Sequence, residues 1–302
     1  VYCMPMHGLT FVPGPELLTA EELEKVVHAA VDVGFNKVRL TGGEPTLRQD
    51  IVEIVRRLAR IEGVDQLVMT TNGYRLPYIA PDLAEAGLKR VNIHVDSLNR
   101  ESIAKIMRLG TFDKAWAGIE AAEKAGLTPI KLNAVITRGY NDSAAVELAR
   151  LTVAKPWQIR FIELMPFAGP TEIQLEHYVS SDEVKNWIEA EFGPLFEINE
   201  GKLDGEARVY RLAGSLGTIG FISPVSNPYC DDCNRMRLTA DGRLRMCLLV
   251  DGEIDFRETL RSGGSHQDLV ALFERATRNK PVGHALKHGI HPEARTMSQI
   301  GG

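Results

Sequence analysis

Nowhere in its 302 residues does the chain carry a run of about 18 apolar residues, so no membrane-spanning helix is expected. It also lacks an excess of positive charge: 35 Lys and Arg stand against 40 Asp and Glu, a net charge of −5. Sequence-independent nucleic-acid binding needs a basic surface, so nucleic acid is not an expected partner. A compact basic pocket for a phosphorylated small molecule is still allowed. Cysteine is scarce. Its four residues, Cys3, Cys230, Cys233 and Cys247, are too few and too unevenly spaced for a disulfide framework. A reducing cytoplasm with metal-bound thiolates suits them better. The opening Val1-Tyr2-Cys3-Met4-Pro5 has no starting Met, basic stretch or apolar core, so no signal peptide is expected and the chain reads as opening mid-segment.

What is present is ordinary for a globular protein: 44% hydrophobic and 25% charged residues, which excludes a disordered or collagen-like chain. At this length one core stops growing, so a larger region over residues 1–205 and a smaller one over 206–302 are expected. From Thr19 to Ile162 helical patterns alternate with short β-branched runs. Thr19 and Glu22 form a capping box ahead of Leu23, Val26, Val27, Ala30 and Val31. Strands are expected at Lys37–Thr41, Gln66–Thr70, Arg90–Val95, Pro129–Ile136 and Gln158–Leu164. Helices are expected near Ile51–Arg60, Ile79–Ala86, Phe112–Lys124 and Ala144–Val153. This is an α/β pattern of parallel units, either a barrel or an open sheet, with a sixth strand expected before Val1. Polar residues at successive strand ends favour a barrel mouth, where ligands gather. After Pro166 a helix capped by Ser180 and Glu183 leads into a Gly-rich region of short strands, then a last helix near Gln267–Thr277.

Cys230 and Cys233, at C-x-x-C spacing, can bind one metal or cluster from a tight turn. The hairpin signal Asp241-Gly242 between Met236–Thr239 and Leu244–Cys247 returns Cys247 beside them. The set admits a three-thiolate iron–sulfur cluster with one open iron, or a zinc ribbon with a fourth ligand such as His266. Arg235 and Arg237 alternate on a strand, so they share a face, and guanidinium forks suit phosphate oxygens. Lys131 and Arg160 lie within strands, where a charge must face a pocket or be paired. Together with Arg39 they would make an anion site. Gly42 and Gly43 after the first strand let a ligand approach the backbone, and Glu44 adds an acceptor. His94 ends the third strand.

Tyr2-Cys3-Met4-Pro5, Leu40-Thr41-Gly42-Gly43-Glu44-Pro45-Thr46, Thr70-Thr71-Asn72-Gly73, Asn92-Ile93-His94-Val95-Asp96-Ser97 and Arg160 through Met165 together resemble radical S-adenosylmethionine enzymes. The C-x-x-C-N-R-x-R stretch and terminal Gly301-Gly302 narrow the likeness to the GTP 3′,8-cyclase family of molybdenum-cofactor (molybdopterin) biosynthesis. The resemblance implies an incomplete (β/α)6 TIM-type barrel with a C-terminal region covering its opening. It also implies two [4Fe-4S] clusters, S-adenosylmethionine as cofactor and GTP as substrate. Cys3 matches the last cysteine of the first-cluster motif C-x-x-x-C-x-x-C. The two earlier cysteines would precede Val1, so the polypeptide as written is expected to be a fragment that does not hold that cluster. Tyr2, Gly43, Met165 and, where the family has Ser, His94 match adenosylmethionine contacts. Arg39, Thr70, Lys131, Arg160, Arg235, Met236, Arg237, Gly301 and Gly302 match the GTP site, and Cys230, Cys233 and Cys247 the second cluster. The likeness further implies an electron donor, cyclic pyranopterin monophosphate synthase downstream, and room for a homodimer. The rival readings are a radical peptide maturase with an auxiliary cluster and a zinc-stabilised binding module.

Overall fold

The computed structural model describes residues 1–3, 12–107, 110–167, 175–286 and 290–300. Helix α1 (Ala20–Asp32) begins where its capping box demands. Glu22 N–H donates to Thr19 Oγ1 at 3.1 Å, and the Glu22 carboxylate accepts the Thr19 N–H at 2.8 Å. Strands β1 (Lys37–Leu40), β2 (Gln66–Thr71), β3 (Arg90–His94), β4 (Lys131–Val135) and β5 (Gln158–Ile162) pair in parallel, each with the next. Helices α2 (Ile51–Ala59), α3 (Leu76–Glu85), α4 (Arg100–Met107), α5 (Phe112–Lys124) and α6 (Ala144–Ala154) connect them. The apolar residues of each strand, such as Val91, Ile93, Leu132, Ala134, Ile159 and Phe161, are buried in one core with residues of those helices.

Strand alternation then turns the polar residues to the opposite, inner face. The register aligns Thr70, Asn92, Lys131 and Gln158 in one row, and His94, Asn133, Arg160 and Gly220 in the next. After α7 (Ser181–Phe192), which carries the expected Ser180–Glu183 box, come β6 (Leu195–Glu197), β7 (Arg208–Leu212) and β8 (Thr218–Ile222). Strand β8 joins β5 in parallel, and β7 and β6 follow antiparallel, giving the order β1-β2-β3-β4-β5-β8-β7-β6. The result is a partial barrel, open rather than closed. Its sixth parallel strand comes from the region read as loose. The sheet thus runs across residue 205, where a boundary was expected, because the free edge of β5 needs a partner and residues 218–222 supply it.

Beyond β8, a second sheet of β9 (Arg237–Leu238), β10 (Arg243–Arg245) and β11 (Glu253–Asp255) forms around the expected hairpin. Helices α8 (Phe256–Arg261), α9 (His266–Arg278) and α10 (Met297–Ile300) complete the chain. Phe256, Leu269 and Phe273 pack on Val26 and Ala29, while Val27 joins the barrel core. Helix α1 therefore buries two stripes, one against each core. No helix among the described residues is long and apolar enough to cross a membrane.

Candidate functional site

The inner face of the sheet is a cradle of positive charge. Arg39, Arg90, Lys131 and Arg160 enter from the strands, and Arg235 enters from the segment after Cys233. Two carboxylates from the loop before β7 answer them. Asp204 pairs with Lys131 and, at 3.0 Å, with Arg160; Glu206 pairs with Arg235 at 2.6 Å and with Arg39 at 3.7 Å. Lys37 and Arg237 add to the positive field around these carboxylates. Burial, reinforced by the charge of Arg160, lowers the Lys131 ammonium to about 7. Burial pushes Glu206 up, but Arg39, Arg235 and Arg160 overcome it and hold the carboxyl at about 2. Asp204 is held well below the usual carboxylate range in the same way.

Among the described residues cations outnumber anions here, and several buried polar atoms have no hydrogen-bond partner: Thr70 Oγ1, both amide atoms of Asn92, Asn133 Oδ1, Arg90 Nε and Glu206 Oε2. Buried groups are normally satisfied, so a row of orphans on one face marks where a ligand belongs. Excess positive charge beside mixed donors and acceptors fits a phosphorylated polar molecule.

At the carboxyl ends of β1 to β3, Glu44 ties two strands together. Its carboxylate accepts from Thr46 N–H (3.0 Å), Thr46 Oγ1 (2.5 Å), Thr71 Oγ1 (2.7 Å) and Asn72 N–H (2.8 Å). The sequence offered Glu44 as an acceptor for a ligand; the structure spends it on the chain. Beside it, nothing lies within 4 Å of where a Cβ on Gly43 would stand, so the backbone is open to a ligand. Tyr2 OH donates to Asp96 Oδ2 at 2.8 Å, and His94 Nε2 lies 2.5 Å from Tyr2 OH and 2.7 Å from the same carboxylate oxygen. Burial works against charge on His94, yet the Asp96 carboxylate raises its pKa. Val1 packs with Leu164, which precedes the half-buried Met165, so exposed Cys3 and Met165 belong to the same end of the sheet.

Cys230 and Cys233 sit on a single tight turn, closed by the Cys233 N–H to Cys230 carbonyl bond of 3.0 Å. The β9–β10 hairpin leads back to Cys247, whose Sγ accepts the Leu249 N–H at 3.4 Å. Lys280 joins the two segments, donating to the carbonyls of Arg235 (2.9 Å) and Met246 (2.8 Å) with Cys233 Sγ at 3.8 Å. Burial raises the Cys233 thiol, but the Arg235 N–H and the charges of Arg235 and Lys280 bring it below its ordinary value. Three thiols, one of them biased toward thiolate and two receiving hydrogen bonds, are a donor set that fits an iron–sulfur cluster. His266 is not a fourth ligand; it pairs with Asp32 at 2.6 Å, bridging α9 to α1. Among the described residues no three His, Cys, Asp or Glu side chains are arranged to hold a single metal ion. A cluster places each thiolate on a different iron and asks for no such convergence.

Residues 1–152 match the Radical SAM superfamily, and residues 157–286 match Molybdenum Cofactor Synthesis C. Over its whole length the chain is 45% identical to the GTP 3′,8-cyclase of Moorella thermoacetica, covering 92% of that protein. It is likewise 45% identical to that of Pelotomaculum thermopropionicum (93% covered) and 44% to that of Thermodesulfovibrio yellowstonii (92% covered), again with all of this chain aligned. The chain belongs to the GTP 3′,8-cyclase family. Its fold is also that of Streptococcus suis SuiB, solved with S-adenosylmethionine, at a TM-score of 0.57 and 14% identity over 79% of this chain and 56% of SuiB. The maturase and zinc-module alternatives are not favoured.

Of the residues singled out in the sequence, the structure brings Arg39, Thr70, Lys131, Arg160, Arg235 and Arg237 together around one cradle. Met236 lies in the irregular segment ahead of β9, and its side chain packs into the C-terminal core. Gly301 and Gly302 lie outside the described residues. Lys37, Arg90, Asn92, Asn133, Asp204 and Glu206 were missed. The polar–apolar alternation Arg90-Val-Asn-Ile-His94 was the signal that would have found the two on β3. Asp204 and Glu206 sit in an irregular loop with no periodicity to reveal them.

Proposed function

We propose that this chain converts GTP to 3′,8-cyclo-7,8-dihydro-GTP in molybdenum-cofactor biosynthesis, as a lyase of the radical S-adenosylmethionine type. The observation that carries the reading is the cation cradle, ringed by unpartnered polar atoms and reached by Arg235 from the thiol-bearing turn. In this reading Arg39, Lys131, Arg160, Arg235 and Arg237 hold the phosphates, and Thr70 with Asn92 contacts the nucleoside. Cys230, Cys233 and Cys247 hold the second cluster, within residues 206–302. Cys3 gives one thiolate to the first cluster, and Tyr2, Gly43, His94 and Met165 line the adenosylmethionine site, within residues 1–205. Gly301 and Gly302 complete the nucleotide site on the resemblance alone.

When bound, the clusters and S-adenosylmethionine supply the radical chemistry. The chain positions the ribose by gripping the far, charged end of the nucleotide, which turns an encounter into a held geometry. Buried inner-face residues keep water from the sugar. Glu44, by fixing the ends of β1 and β2, keeps the Gly43 backbone facing the ligand. The reading brings with it an electron donor and cyclic pyranopterin monophosphate synthase as consumer of the product. The test is to reconstitute the full-length protein, with all three first-cluster cysteines, anaerobically and supply GTP, S-adenosylmethionine and a reductant: the cyclic product is expected, and unchanged GTP would sink the reading.

A further inference from the structure

The loop between β6 and β7 ends in a tight turn. Asp204 N–H donates to the Ala207 carbonyl at 2.9 Å, and Ala207 N–H returns a bond to Asp204 at 3.3 Å. Between them Gly205 takes φ +70°, a conformation that disfavours a side chain, and its missing Cβ would stand 4.0 Å from Arg39 Nη2. The turn thereby lays its backbone against one cation of the cradle and sends both carboxylates inward. Asp204 receives Lys131, Arg160 and the Gln158 amide (3.1 Å), and its carbonyl takes a further bond from Arg160 at 3.0 Å. Glu206 is held by charge more than by fit. One oxygen meets Arg235, while Oε2 is buried without a hydrogen-bond partner among the described residues and has Arg39 at 3.7 Å. A carboxylate left half satisfied among cations is poorly explained as a structural brace. It is well placed to be exchanged for a better anion.

We infer that Asp204 and Glu206 form a built-in counter-anion, which holds the phosphate cradle in the absence of nucleotide and yields its cations to the incoming phosphates. The inference deepens the function proposed above and rests on it. Arg39, Lys131, Arg160 and Arg235 are the cations both anions compete for. Both carboxylates must be displaced whichever phosphate arrives, so the turn sets how tightly the cradle holds an incoming phosphate.

The test is equilibrium binding of inorganic triphosphate, GTP and GMP to the cluster-loaded full-length protein at one salt concentration, comparing the parent with Asp204→Asn and Glu206→Gln. Glu197→Gln, an exposed carboxylate on β6, controls for net charge. Each turn variant is expected to bind inorganic triphosphate about tenfold more tightly, with the gap between GTP and GMP no narrower than in the parent and the control unchanged. If a turn variant is unstable alone, a larger rise in its melting midpoint on adding triphosphate than the parent shows reports the same gain. Unchanged or weaker triphosphate binding in both variants would overturn the inference. Absence of the cyclic product, with this binding pattern intact, would instead remove the proposed reaction and leave the counter-anion standing.

Discussion

The ammonium of Lys280 stands 3.8 Å from the sulfur of Cys233 while donating to carbonyls on both thiol-bearing segments. One side chain, from the stretch just after α9, therefore fixes the spacing between the Cys230–Cys233 turn and the approach to Cys247. Lys280→Met leaves those two carbonyls without their charged donor, at a cost of roughly 2 kcal/mol. Iron and sulfide per chain after anaerobic reconstitution should fall clearly below the parent, with Lys280→Arg between the two. Parental iron content in Lys280→Met would show that the thiols need no such tether.

Glu44 accepts four hydrogen bonds from residues on two different strand ends. In Glu44→Gln one acceptor oxygen becomes a donor facing other donors, which costs roughly 1–3 kcal/mol. Chemical denaturation should show that loss with an unchanged slope, and adenosylmethionine binding should weaken with it. An unaltered midpoint would mean the loops hold themselves.

Lys131 loses its proton in the free protein as pH passes about 7, because burial and Arg160 both oppose its charge. Bound phosphate restores a reason to be charged, so the complex keeps the proton to higher pH. Binding above pH 7 must then take up a proton, and GTP affinity should fall by at most about tenfold per pH unit there, with little change below. Calorimetry in two buffers of different ionisation heat measures the uptake. Lys131→Arg, which stays charged, should flatten the profile; an equally steep profile in that variant would assign the proton elsewhere.

Asp96 is almost wholly buried and leans on His94, Tyr2 and the Val135 N–H. His94→Leu withdraws one partner and should cost roughly 2 kcal/mol. This is less than the loss typical of a fully buried pair, because the His94 side chain is 26% exposed and two other donors remain. Urea denaturation at pH 6 gives the number. A variant as stable as the parent would show that Tyr2 and Val135 suffice.

Much of the molecule follows from residues close together in the chain. The capping boxes at Thr19 and Ser180, the helix–strand alternation from α1 to β5, the Asp241-Gly242 hairpin and the thiol spacing are all local relations. Each is set by hydrogen bonds and side-chain periods a few residues long. Tertiary structure decided the rest. Which strand would satisfy the open edge of β5, which way Met236 would turn, whether His266 would reach a metal or Asp32, and that Asp204 and Glu206 would enter the cradle all depend on groups far apart in sequence. Edge pairing, burial and charge balance act through space once the chain has closed, and the spacing of neighbouring residues carries no record of them.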